Sequence, residues 1–88
     1  MTLQALITAC PAPVSTDAGV SSAMEWFEIV NVFAIKNVDS VLPNAMYVRN
    51  LSEVFAKNTI LKSTDYDSIN NDLMHLKVAL SAVLENAV

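Results

Sequence analysis

The sequence predicts an all-α fold, a small three- to four-helix bundle occupying residues 1–88 as one helical domain. Three observations predict it. The 88 residues contain one Gly and three Pro, so positions for tight turns are few, and no Asn-Gly or Asp-Gly hairpin dipeptide occurs. Apolar residues make up 53% and charged residues 16%, against averages of about 45–50% and about 25%, a composition too apolar for disorder. Finally, Tyr66, Ile69, Leu73, Leu76, Leu80, Val83 and Ala87 are spaced by alternating steps of three and four residues, the seam of a packed helix.

The elements follow in order. Residues 1–19 read as an N-terminal arm and Pro-rich linker. Leu3, Ala5, Leu6, Ile7 and Ala9 suit a short helix or an extended arm, and Pro11, Pro13 and Gly19 mark the linker as a loop or hinge. In residues 21–38, Ser22 and Glu25 match a capping box. Glu25 and Glu28 leave only a narrow polar stripe among Trp26, Phe27, Ile29, Val30, Val32, Phe33 and Ile35. A helix apolar nearly all round is buried on several sides; the β-branched content keeps a strand reading open.

A helix is expected over about 44–58, with Tyr47, Leu51, Val54 and Phe55 on one face. Pro43 suits its first turn if Asp39 or Ser40 starts it. Residues 59–62 read as a connector. The last helix, about 64–86, has Ser63 and Thr64 as candidate N-caps, and Asp65 and Asp67 place negative charge at its positive end. Leu84 and Met74 broaden its apolar stripe. Two helices joined so tightly should pack antiparallel.

Charge and composition narrow the function classes. The formal net charge is −4 and the bases are only Lys36, Arg49, Lys57, Lys62 and Lys77. No clustered basic face is expected, so nucleic acid is not an expected partner. No run reaches the ~20 apolar residues of a membrane span. The stretch before Cys10 carries no Lys or Arg and too short an apolar run for a signal peptide. Synthesis in the cytoplasm is expected, with a virion as one destination. Cys10 stands alone, so no intrachain disulfide forms; it reads as a small apolar packing residue.

No catalytic constellation or metal site is expected. His75 is the sole histidine and Cys10 the sole thiol, too few for a structural zinc site. His75 also lies within a helix, far from any turn that would expose a nucleophile. The acidic run Asp65–Asp72 departs from a calcium loop at Ile69 and lacks the glycine required at position 70. Asn50-Leu51-Ser52 forms a glycosylation sequon, but it falls in an expected helix.

Asp39-Ser40-Val41, an Asp-Ser-aliphatic triplet at a helix start near the middle of a short acidic chain, resembles an acyl carrier protein. That resemblance implies a phosphopantetheine arm on Ser40 and an acidic second helix that meets partner enzymes. It covers three residues plus size and charge. The sequence departs from it at Pro43 and in a following helix that carries Arg49 and Lys57 with only Glu53.

The leading expectation is a non-enzymatic structural or interaction protein without a cofactor, assembling through helix packing as a homo-oligomer or as a subunit of a larger assembly. A phage or viral structural subunit is the favoured setting. A small acidic inhibitor or adaptor that binds a host protein is the alternative, and an acyl-carrier-like protein modified at Ser40 the third class. The expected interface residues are Trp26, Phe27, Ile29 and Val32, because the helix carrying them has more apolar surface than two neighbours can cover.

Overall fold

A computed structural model describes residues 2–36 and 45–86. It contains four helices, α1 (Leu3–Thr8), α2 (Asp17–Lys36), α3 (Ala45–Leu61) and α4 (Tyr66–Asn86). There is no strand among the described residues. The strand alternative for the segment beginning at residue 21 is thereby removed as far as Lys36. Asp39, Ser40, Pro43 and Ala87 lie outside the described residues.

The starts of α1, α2 and α4 each have a local cause. The Thr2 hydroxyl accepts from the Ala5 amide and caps α1. The Thr16 hydroxyl accepts from the Gly19 amide at 3.3 Å, so α2 begins four residues before the expected position. Ser22 lies inside the helix and donates to the Ala18 carbonyl at 3.2 Å; the expected capping box is not a cap. The linker accordingly ends at Thr16, and Gly19 is helical. Its lack of a side chain matters here, because a Cβ at Gly19 would lie 3.3 Å from the Val14 Cα.

Helix α3 runs three residues past the expected 58, through Ile60 and Leu61, which sequence reading placed in the connector. Asp65 starts α4, its carboxylate accepting from the Ser68 amide at 3.1 Å. This is N-cap geometry, and it displaces Ser63 and Thr64 from that role.

The most extensive helix contact is between α2 and α3, with α4 packed on both and α1 on α4. The Phe27 and Phe55 ring centroids lie 5.9 Å apart. Nearer the start of α2, Val20 and Met24 share a groove with Ile60 near the end of α3, so the two helices run antiparallel. Residues 62–65 then turn the chain, and Phe55 meets His75 at a centroid distance of 5.5 Å. These rings lie at comparable distances on either side of the turn, the register of a second antiparallel pair. The molecule measures 38 × 19 × 18 Å. The 21-residue α4, about 31 Å long at 1.5 Å per residue, spans most of the long axis.

The core is one cluster to which every helix contributes. From α4 it takes Ile69, Leu73, Leu76, Leu80 and Val83, the expected seam. From α2 it takes Ala23, Trp26, Phe27, Val30 and Ala34. Each large side chain fully buried there contributes about 1.5–3 kcal/mol.

The arm is part of this core and not an appendage. Leu6 is completely buried, and the Trp26 indole donates to the Leu6 carbonyl at 3.0 Å. The Asn70 side chain grips Val14 at both backbone groups: Oδ1 accepts from its amide at 2.6 Å and Nδ2 donates to its carbonyl at 3.1 Å. The Tyr66 hydroxyl donates to the Asp17 carboxylate at 2.9 Å.

Candidate interaction surface

The expected interface residues divide between the core and the surface. Trp26 is 2% exposed and Phe27 0%, and the two rings sit 6.0 Å apart inside one copy. This corrects the expectation that they meet a partner. The arm and α3 supply the cover that seemed to be lacking, because α1 folds back to place the Leu6 carbonyl on the indole N–H. Ile29 is half-buried, and Val32 is 49% exposed.

The face of α3 also differs from the expected one. Its buried residues are Ala45, Val48, Ser52, Phe55 and Thr59, in steps of three and four. Two of these five are hydroxyl residues. Ser52 donates to the Arg49 carbonyl and Thr59 to the Phe55 carbonyl, each at 2.8 Å. A buried hydroxyl satisfied by its own helix needs no other partner. Reading the face from large apolar residues alone rotates the helix, which is how Tyr47 and Val54 came to be assigned inward.

Those two residues instead belong to an outer row. Tyr47, Asn50, Val54, Lys57 and Leu61 follow heptad steps and are all exposed, with Leu61 at 80%. The Val54–Leu61 repeat was the available signal, visible once Ser52 and Thr59 are allowed into the core. Helix α2 has an outer row of the same spacing: Ser21, Glu25, Glu28, Val32 and Ile35. Helix α4 shows Met74 and Val78, one turn apart and both more than half exposed.

Two shallow cavities lie along α2. One, of about 350 Å³, runs between α2 and the end of α3, with Val20, Met24 and Ile60 as its apolar lining and Ser21, Glu25, Glu28, Thr59 and Ser63 as its polar groups. The other, of about 300 Å³, shares Glu25 and Glu28 and continues to Ile29 and Val32. The ionisable groups lining both are glutamates. Neither glutamate forms an ion pair with a described residue; the described ion pair is Arg49–Glu53 at 3.5 Å, one turn apart on α3.

The remaining chemistry is modest. Cys10 lines a cavity of about 180 Å³ with Pro13, Leu73, Met74 and Lys77. Burial pushes its thiol above the ordinary value, and the Lys77 charge offsets this in part. Raised in this way, the group remains a thiol at neutral pH. His75 is exposed, with its ring against Phe55. The Asp72 carboxyl is raised by burial, against the lowering influence of His75 and Lys62. Among the described residues no group of three or more His, Cys, Asp or Glu side chains could hold a metal ion. No helix there is long and apolar enough to cross a membrane. Ser40, the residue that the carrier-protein resemblance would modify, lies outside the described residues.

No family model matches the sequence, and neither a curated protein nor a solved structure shows significant similarity to it.

Proposed function

We propose that this chain is a non-enzymatic structural or interaction protein that works by helix packing, as a homo-oligomer or as a subunit of a larger assembly. A phage or viral structural subunit is the setting we favour within that class. The observation that carries the reading is the alignment of apolar side chains on faces turned away from a completed core. Single exposed hydrophobic residues are ordinary, but a repeat such as Tyr47, Val54 and Leu61 at heptad spacing along one helix is the pattern with which helices recognise one another. Sparse surface charge adds to it, since a small domain at 16% charged residues has little to keep copies apart.

Sedimentation equilibrium over a wide concentration range tests this. The expected result is an apparent mass above 9.5 kDa that rises with concentration. A second reading, a small acidic inhibitor or adaptor that seats a partner's segment, draws on the glutamate-lined groove along α2. A monomer at all concentrations would favour that second reading over the first.

A further inference from the structure

We propose that the outer face of α2 in one copy receives the outer row of α3 from a second copy, with Lys57 seated between Glu25 and Glu28. This rests on the self-assembly reading above and adds which faces meet.

The argument starts from charge. Glu25 and Glu28 are exposed on successive turns of α2 and line both cavities along it. The ionisable groups of that face are anionic and its floor is apolar, so it suits an apolar helix that carries a cation. The chain itself supplies one. The outer row of α3 holds Tyr47, Val54 and Leu61 with Lys57 between the last two, and Lys57 forms no ion pair among the described residues.

Register supports the match. Place Lys57 between the two glutamates with the helices antiparallel. Val54, three residues earlier, then falls level with Ile29, which lines the second cavity beside Val32. Leu61, four residues later, falls toward Met24 and the apolar floor of the larger cavity. Knobs-into-holes packing of heptad rows supplies the contact, and the buried lysine–glutamate set fixes its register.

A charge exchange tests the pairing. One variant carries Glu25→Lys and Glu28→Lys, the other Lys57→Glu, and self-association is read by sedimentation velocity with helicity checked by circular dichroism. Each variant alone is expected to self-associate at least tenfold more weakly than wild type. The double lysine variant brings the net charge of −4 to zero, so general charge repulsion alone would strengthen its association. An equimolar mixture, in which the exchanged charges meet as complementary pairs, is expected to return to within about threefold of wild type. Variants as associative as wild type, or a mixture that stays weak, would overturn the pairing while leaving self-assembly standing. A monomeric wild type would instead remove the self-assembly reading on which it rests. Should the lysine variant lose helicity, Glu25→Gln with Glu28→Gln serves in its place, with weaker association expected and unchanged association counting against the pairing.

Discussion

Asn70 and Gly19 act on the same backbone segment, at Val14. Asn70 holds Val14 through two hydrogen bonds, and Gly19 lets that backbone approach α2 closely. Glycine inside a helix costs about 1 kcal/mol relative to alanine, so Gly19→Ala would stabilise α2 if Val14 could yield. Pinned by Asn70, it cannot, and Gly19→Ala is expected to lower stability. In an Asn70→Ala background the segment can shift, and the cost should shrink. Urea unfolding of the four proteins in this double-mutant cycle measures the coupling, expected at about 0.5–3 kcal/mol. Additive effects would mean that Asn70 does not hold Val14 in place. A second prediction concerns Tyr66, whose hydroxyl is raised above its ordinary value first by its hydrogen bond to Asp17 and then by burial and the Asp17 charge. The protonated form is thus favoured in the folded state. Its stabilising contribution is full below pH about 10 and is lost as the pH rises through the raised folded value. Tyr66→Phe should lower stability at neutral pH and narrow its gap to wild type above pH about 10, as read from unfolding curves at both pH values.

At the scale of the element, α4 and α3 show what sequence periodicity reveals and what it hides. The α4 seam is made of large aliphatic residues, so its spacing identified the buried face directly, and Ile69, Leu73, Leu76, Leu80 and Val83 are the residues found inside. Leu76→Asp should therefore abolish the cooperative thermal transition, because it places a charge without a partner in the interior. In α3 the pattern misled, because Ser52 and Thr59 conceal their polarity by bonding to their own helix. Ser52→Ala should change stability by less than about 1 kcal/mol, since the hydroxyl bonds only to an Arg49 carbonyl of the same helix. If it cost several kcal/mol, the hydroxyl would have a larger role than that bond. Helix α2 was legible as a helix but not as to its partner: nothing in a local window announces that the arm returns to cover Trp26. Trp26→Ala is expected to cost about 3–5 kcal/mol of folding stability with the capacity to assemble retained in the fraction that stays folded.

At the scale of the molecule, the surface area is ordinary and its chemistry is not. The chain exposes 5310 Å², close to the roughly 5,000 Å² expected of a monomer of this mass. The high apolar fraction did not therefore leave Trp26 and Phe27 uncovered; the four helices, α1 folded back among them, bury both. The excess lies in the outer rows, notably Val32 and Ile35 on α2 and Val54 and Leu61 on α3. A stable contact of about 800 Å² per partner would take roughly a seventh of the surface. The most direct test of self-assembly through these faces is sedimentation equilibrium of wild type beside the Val54→Asp, Leu61→Asp double variant, both of equal helicity by circular dichroism. Both positions are exposed, so the variant should fold and sediment as a single 9.5 kDa chain, while wild type sediments as a larger species at the same concentration. Wild type at 9.5 kDa throughout, or a double variant that assembles as wild type does, would contradict the account.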